Sequence, residues 1–132
     1  MARDKIGIDV KDLMSSPVIT VLKNETLKQI SQIMSKNKFG SVVVTDENRE
    51  LLGIVTERDI VTRVTALNLC PREVKAEDIM SYPVIKTAPD KDIKEAANLM
   101  NEHRIRRLVV VEKGKTIGII TTRDIFSQIV IG

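Results

Sequence analysis

The apolar residues of the first half of the chain follow two different periodicities. Three short stretches, Val18–Leu22, Val42–Thr45 and Leu52–Thr56, are apolar almost throughout, which is typical of strands buried on both faces. Between the first two stretches, apolar residues recur every three or four positions and predict an amphipathic helix. The apolar positions of that helix are Leu27, Ile30, Ile33 and Met34. A further helix is predicted from about Arg58 to Leu67.

The second half of the chain shows the same order of elements. The predicted strands are Val84–Thr87, Leu108–Val111 and Thr116–Thr121, and the last helix runs from about Arg123 to Ile131. The helix between the first two strands has its apolar positions at Ile93, Ala96, Ala97 and Met100. Asn24 and Asp90 precede the two amphipathic helices and are the expected N-caps.

The two halves also agree in residue identity, which indicates an internal repeat. Lys11–Ile19 matches Glu77–Ile85 at an offset of 66, and Leu51–Ile60 matches Thr116–Ile125 at an offset of 65. The second copy has therefore lost one residue, which we place in a turn.

A repeat of about 60 residues buries too little surface to be stable alone, so the two copies are expected to pack together. We predict a single module over residues 1–132, with repeats at 10–67 and 76–132 and a linker at 68–75. The predicted fold class is α/β of the α+β type. Each repeat forms a small sheet of about three strands packed with two helices, and a pseudo-twofold axis relates the repeats.

Composition removes several classes of function. A single cysteine, Cys70, and a single histidine, His103, exclude an internal disulfide framework and a His/Cys zinc site within one chain. Aromatic residues make up 2% of the chain, too few for the stacking platforms of single-strand nucleic-acid binders. No apolar run approaches the ~20 residues that span a bilayer, so we expect a cytoplasmic protein without membrane association.

The repeated motifs resemble those of the CBS-domain family, in the tandem pair known as a Bateman module. The opening motif is Asp-Leu-Met-Ser-Ser-Pro-Val-Ile at 12–19, repeated with changes at 78–85. The closing motif is Gly-Ile-Val-Thr-Glu-Arg-Asp-Ile at 53–60, repeated as Gly-Ile-Ile-Thr-Thr-Arg-Asp-Ile at 118–125. Together with the stretch His103–Val111, the resemblance covers about Val10 to Gly132. We therefore expect this chain to be the module alone.

The resemblance implies a regulatory, energy-sensing module rather than an enzyme. Its members bind adenosine-containing ligands such as AMP, ADP, ATP or S-adenosylmethionine in clefts between the repeats, and transmit binding to a partner protein. No cofactor and no metal are required. A homodimer is the expected assembly, and the helices that begin at Arg58 and Arg123 offer apolar surface for it through Val61, Val64, Ile129 and Val130.

The resemblance assigns ribose binding to Asp59 and Asp124, assisted by Thr56 and Thr121. Each Thr-x-x-Asp sequence stands where a predicted strand gives way to a helix, whose first N–H groups are unpaired. From the residues alone the same sequence is an ordinary helix cap. The two roles can coexist.

Phosphate contacts are expected from Arg106 and Arg107, because guanidinium groups offer paired donors that keep their charge. Arg58 and Arg123 are further candidates, whereas a solvated surface position is the simpler interpretation of His103. A solvated cluster at a helix end is the alternative for Arg106 and Arg107 as well.

The remaining candidates line the clefts around the adenine ring, although ordinary core packing explains each of them equally well. They are Met14, Ile19, Phe39, Gly40, Ser41, Met80, Ile85 and Ile105. The resemblance places Asp59 in one cleft with Ile85, Ile105, Arg106 and Arg107. It places Asp124 in another with Ile19, Phe39, Gly40 and Ser41. Because the second set holds no arginine at the strand entry, we expect the Asp59 cleft to be the better phosphate site.

Three other functions are weighed against ligand sensing. The interpretation as an enzyme has no support, because the sequence contains no Gly-rich P-loop, nucleophile elbow or metal-ligand set. Binding of RNA or DNA finds little support in a net charge of +3. A structural or oligomerising module with empty clefts differs from the sensor only by the absence of ligand binding.

Overall fold

The computed structural model of the chain describes residues 5–16, 18–66 and 68–131, with the backbone alone at Ile131. It divides into a first-repeat unit, Ile19–Val84, and a second-repeat unit that combines Met1–Val18 with Ile85–Gly132. Pro17 of the opening motif, and Leu67 and Gly132 at the predicted ends of the repeats, lie outside the described residues. Nowhere in the described ranges does a helix combine the length and apolar character that crossing a bilayer demands.

The helices and strands are named here in chain order. They are α1 (Val10–Leu13), β1 (Thr20–Leu22), α2 (Leu27–Asn37), β2 (Ser41–Thr45), β3 (Leu51–Thr56), α3 (Glu57–Asp59), the π-helix (Ile60–Thr65), α4 (Ala76–Ile79), β4 (Lys86–Thr87), α5 (Ile93–His103), β5 (Arg107–Glu112), β6 (Lys115–Thr121) and α6 (Thr122–Ile131).

Each unit contains one three-stranded mixed sheet. β1 runs parallel to β2, which pairs antiparallel with β3, and β4, β5 and β6 repeat this pattern in the other unit. The parallel connection passes through a helix, as such crossovers require, and the antiparallel connection is a hairpin. The predicted mixed α/β class with about three strands per repeat is therefore confirmed.

The middle strands β2 and β5 carry the core of each unit. Val42 and Val44 point into the first-repeat core against Leu27 and Ile30 of α2. Val43 points to the opposite face and is nevertheless fully buried. The second-repeat core is built in the same way, around Leu108 and Val110 of β5 and the apolar face of α5. Burial on both faces explains why these strands lack an alternating polar pattern.

The residue lost from the second copy lies in the hairpin between the antiparallel strands, as predicted. Val44 pairs with Gly53 and Val110 with Gly118, so the second hairpin is one residue shorter. Its turn residues Lys113 and Gly114 have φ of 52° and 77°. Positive φ at both positions is what a tight two-residue hairpin turn needs.

The predicted N-caps Asn24 and Asp90 are wrong by two residues. Thr26 caps α2 through a capping box with Gln29, and Asp92 caps α5 by accepting a hydrogen bond from the Lys94 N–H. Backbone bridges from Thr26 to Lys75 and from Asp92 to Asp9 pair the two true caps in extended conformation. The caps themselves are local, and Thr26 and Gln29 form the Thr-x-x-Gln signature of a capping box. The bridges to Lys75 and Asp9 are long-range, and local sequence does not show them.

Two boundaries also differ from the prediction. β1 and β4 begin at Thr20 and Lys86 rather than at Val18 and Val84, because their parallel pairing with the middle strands covers only the later residues. The helix predicted from Arg58 begins at Glu57 and continues after Asp59 as a π-helix.

The opening motif of each repeat packs in the unit that holds the other repeat's strands. The Ser15 N–H donates to the Ile119 carbonyl (2.8 Å), which joins the end of α1 to β6. The Ser81 N–H donates to the Ile54 carbonyl (2.8 Å), which joins the end of α4 to β3.

Candidate functional site

Both Thr-x-x-Asp sequences lie at strand-to-helix junctions, and both form reciprocal caps. At the second-repeat junction the Thr121 N–H donates to Asp124 Oδ2 (2.8 Å), and the Asp124 N–H donates to Thr121 Oγ1 (3.1 Å). At the first-repeat junction Thr56 and Asp59 make the same two bonds, at 2.9 and 3.1 Å. The capping role that the sequence suggested is therefore present in both repeats. It occupies one carboxylate oxygen of each aspartate.

The second carboxylate oxygen is what distinguishes the two junctions. Asp124 Oδ1 accepts no hydrogen bond from any described residue, and its side chain is half-buried. Such an oxygen is held in place by the cap and is available to accept a hydrogen bond.

Asp59 is surrounded much more closely and is 7% exposed. Its Oδ2 also accepts the Thr56 hydroxyl (3.0 Å), and its Oδ1 accepts the Ser81 hydroxyl (3.0 Å). The Arg63 Nε lies 3.8 Å from the same Oδ1. Both oxygens of Asp59 are thus already engaged within the first-repeat unit.

Arg63 and Ser81 were not among the candidates that the sequence supplied. Arg63 stands four residues after Asp59, the spacing of an ion pair on one helix face. The second repeat has Gln128 at the matching position. That mismatch is the one signal in the sequence that sets Arg63 apart, whereas the contact of Ser81 with Asp59 spans 22 residues and is purely tertiary.

Arg106 and Arg107 adjoin the second-repeat junction within their own unit. The Thr122 N–H donates to the Arg106 carbonyl (2.8 Å), and Arg107 faces Thr121 across the β5–β6 pair. The Arg106 side chain is exposed and that of Arg107 is half-buried. Arg107 is therefore the first residue of β5, the strand that pairs with β6 beside the Asp124 junction, and Arg106 is the residue before it.

Gly40 and Ser41 take the matching places in the first repeat, as the sequence predicted. The Glu57 N–H donates to the Gly40 carbonyl (3.0 Å), and Ser41 pairs with Thr56. The first-repeat junction thus has no arginine at its strand entry. The exposed Arg58 and Arg123 lie in the first turn after each junction, and the exposed His103 ends α5.

Each of the two predicted clefts joins residues of different units. One was predicted to combine Asp59 with Ile85, Ile105, Arg106 and Arg107. The other was predicted to combine Asp124 with Ile19, Phe39, Gly40 and Ser41. Both pairings stay predictions. Ile19 packs against the first-repeat core, and Ile85 and Ile105 pack against the second-repeat core. Phe39 is 40% exposed, and it lines an open groove of about 410 Å³ with Met34, Glu57 and Ile60.

Met14 and Met80 have a packing role inside their units. A Cβ built on Gly53 would lie 2.5 Å from the Met80 sulfur, and one built on Gly118 would lie 2.6 Å from the Met14 sulfur. Each methionine therefore lies directly on the backbone of the antiparallel strand before a junction. Whether either also touches a ligand stays a prediction.

Comparison with known proteins identifies the class. The family model for the CBS domain matches the chain twice, at residues 10–66 and 76–131. These two matches cover most of the sequence and each contains one junction. The chain belongs to the CBS-domain family and carries a tandem pair of the domain, a regulatory ligand-binding module.

Two relatives and one solved structure show the extent of the similarity. An uncharacterised protein of Methanopyrus kandleri is 43% identical over 120 residues, 90% of this chain, which spans 61% of that protein's length. The CBS domain-containing protein YhcV of Bacillus subtilis is 31% identical, over 88% of this chain and 81% of its own length. The CBS domain pair of protein MJ0100, solved with 5-methylthioadenosine and S-adenosyl-L-methionine, is 29% identical with a TM-score of 0.83, covering 92% of this chain and 95% of that one.

Proposed function

We propose that this chain is a sensor module that binds an adenosine-containing ligand at its strand-to-helix junctions and passes the binding on to a partner protein. The ligand class comprises AMP, ADP, ATP and S-adenosylmethionine. The observation that carries the proposal is the Asp124 carboxylate, which has one oxygen fixed by the Thr121 N–H and the other left without a partner among the described residues.

The chemistry of that carboxylate suits a ribose. Vicinal hydroxyl groups are donors, and a carboxylate that is already oriented accepts them without losing side-chain freedom on binding. The half-buried position of Asp124 strengthens such bonds relative to those made in bulk water. Thr121 supports the arrangement because its hydroxyl accepts the Asp124 N–H and so holds the first turn of α6.

The charge beside the junction suits a phosphate. Arg107 pairs with Thr121, Arg106 precedes it, and the exposed Arg123 follows in the first turn of α6. Guanidinium groups form paired, charge-assisted bonds to phosphate oxygens. A ligand that carries both a ribose and a phosphate therefore matches the groups that surround this junction.

The comparison with MJ0100 supports the same ligand class, because that CBS domain pair was solved with two adenosine derivatives. Binding without chemistry is the proposed activity. A flat time course of ATP hydrolysis by the purified protein is the expected result, and sustained turnover contradicts it.

The proposed assembly is a homodimer that uses the outer face of α6. Phe126, Ile129 and Val130 lie at i, i+3 and i+4 on this helix and are 64%, 64% and 65% exposed. In the first-repeat unit Val61 is exposed as well, but Val64 is not available for such a contact. Its predicted interface role is wrong, since it lies in the first-repeat core at 6% exposure.

The test is calorimetric titration of the purified protein with AMP, ADP, ATP and S-adenosylmethionine. We expect binding at about micromolar Kd, near −8 kcal/mol, for at least one of them. Asp124→Asn is the informative variant, because the asparagine amide oxygen can still accept the Thr121 N–H, while its NH2 group replaces the unpaired acceptor with a donor. Loss of the tighter binding event in this variant, with unchanged thermal stability, supports the proposal. If none of the four ligands gives a heat of binding with the wild type, the result favours a structural module that binds no ligand.

A further inference from the structure

The two repeats differ at one residue that reaches the first-repeat aspartate. Arg63 Nη1 donates to the carbonyls of Ile79 (2.9 Å) and Met80 (3.0 Å), at the end of α4. Its Nη2 lies 3.5 Å from Ser81 Oγ, and its Nε lies 3.8 Å from Asp59 Oδ1. One guanidinium thus joins the junction aspartate to the end of the helix that opens the second repeat.

The backbone at Arg63 is also irregular. Residues Ile60–Thr65 form a π-helix, whereas the matching residues of the second repeat belong to the regular helix α6. Turns of π-helix are rare in proteins, and those that occur often lie at functional sites. A π-helix has more residues per turn than an α-helix, so its side chains take different angles around the helix axis from those of the matching α6 residues. Arg63 is one of these π-helical residues.

We propose that Arg63 and Ser81 form a latch that competes with the ligand for Asp59, so that the second-repeat junction binds first and the first-repeat junction binds only after the latch opens. This inference rests on the proposed function. It names the residues that make the two junctions unequal. It also places the Asp124 junction first, whereas the family resemblance favoured the Asp59 cleft as the phosphate site.

The competition follows from the lack of space around one carboxylate. Asp59 is only 7% exposed, with the Ser81 hydroxyl at 3.0 Å and the Arg63 Nε at 3.8 Å from its Oδ1. A ligand hydroxyl therefore reaches Oδ1 only if these two side chains move aside. Exchanging one bond to a charged acceptor for another gains little, so the net affinity at this junction is low. Asp124 has no such internal competitor among the described residues.

Opening the latch has a consequence at a distance from the ligand. When Arg63 leaves, the carbonyls of Ile79 and Met80 lose the donor that satisfies the end of α4. The Ser81–Ile54 bridge follows directly after these residues. Ligand binding at the first-repeat junction is thereby linked to the backbone bridge between Ser81 and Ile54, which connects the end of α4 to β3. Through this bridge, ligand binding can change the conformation of the module.

The test measures binding at the first-repeat junction alone, in the Asp124→Asn background. Arg63→Gln installs the residue that the second repeat has at this position, and Ser81→Ala removes the other donor. Arg72→Gln, at an exposed arginine of the same unit, is the matched control for charge. AMP, ADP, ATP and S-adenosylmethionine are titrated into each double variant, with thermal unfolding measured in parallel.

We expect Asp124→Asn/Arg63→Gln to bind about tenfold more tightly than Asp124→Asn, which corresponds to about 1.4 kcal/mol. Ser81→Ala is expected to act in the same direction and decides the matter if the Arg63 variant does not fold, while Arg72→Gln leaves the affinity unchanged. Equal or weaker binding in both the Arg63→Gln and the Ser81→Ala double variants overturns the latch, while binding by the wild type upholds the proposed function. No binding in any protein, the wild type included, overturns both.

Discussion

Met80 lies on Gly53 so closely that the glycine has no room for a side chain. A Cβ at residue 53 would come within 2.5 Å of the Met80 sulfur and within 3.0 Å of the Met80 Cβ. Met14 and Gly118 repeat the relationship in the second-repeat unit, where the Ser15 carbonyl adds a backbone obstacle at 3.0 Å. The glycine of each closing motif is therefore required by the methionine of the opening motif in the other repeat.

Gly53→Ala should destabilise the protein by about 1–3 kcal/mol, because the added methyl group forces Met80 out of its place in a close-packed region. Urea unfolding measures the change. The Gly53→Ala/Met80→Ala double variant should cost less than the sum of the two single changes, since truncating Met80 makes room for the methyl group. Additive costs would show that the clash is not the cause.

Arg106→Gln and Arg107→Gln should each weaken AMP binding about tenfold while leaving adenosine binding unchanged, because the lost bonds are charge-assisted contacts to phosphate. Calorimetry with the two ligands measures the difference. Lys115→Gln, at the exposed start of β6, provides the charge control. A parallel loss for adenosine and AMP would assign the arginines a structural role instead.

Ile129→Glu should convert a homodimer into a monomer, because it places a charge within the exposed apolar face of α6. Light scattering at matched concentration reports the mass. Ser127→Glu adds the same charge to an exposed polar position of α6 and should leave the mass unchanged. A wild-type protein that is already monomeric would remove the proposed dimer.

Asp92 should make the stability of the second-repeat unit depend on acid pH. The Ile6 N–H, donating to its carboxylate, is the largest influence on the pKa of Asp92 and lowers it below the ordinary 3.8. The N–H groups of Lys94 and Gly7 act in the same direction and desolvation opposes them. With a depressed folded-state pKa, the stabilisation is present above the unfolded-state pKa and is lost as pH falls through the folded one.

The Asp92→Asn variant should therefore be less stable than the wild type near neutral pH, and the gap should narrow as pH falls below about 4. Asparagine still caps α5, so the comparison isolates the charge. Thermal unfolding from about pH 7 to about pH 2 measures it, with Asp90→Asn as the control at an exposed carboxylate nearby. A gap that stays constant with pH would contradict this interpretation.

The family, the repeat and the position of both junctions could be predicted from the sequence, because identical motifs at fixed offsets report a shared backbone path. The strands β2 and β5 and the helices α2 and α5 were predicted for a simple reason. Their apolar residues face a core in their own unit, and burial imposes a periodicity that remains visible in one dimension.

Tertiary structure alone decided the contact of Ser81 with Asp59, the bonds of Arg63 to the end of α4, and the antiparallel bridges beside the caps Thr26 and Asp92. Each depends on residues far along the chain: Lys75 and Asp9 pair with the caps, and Ser81 and the end of α4 reach Asp59 and Arg63. Two junctions with the same Thr-x-x-Asp sequence thus differ chemically. The affinity of a carboxylate for a ligand hydroxyl depends on the donors that already surround it in space. The spacing of residues along the chain does not encode those donors.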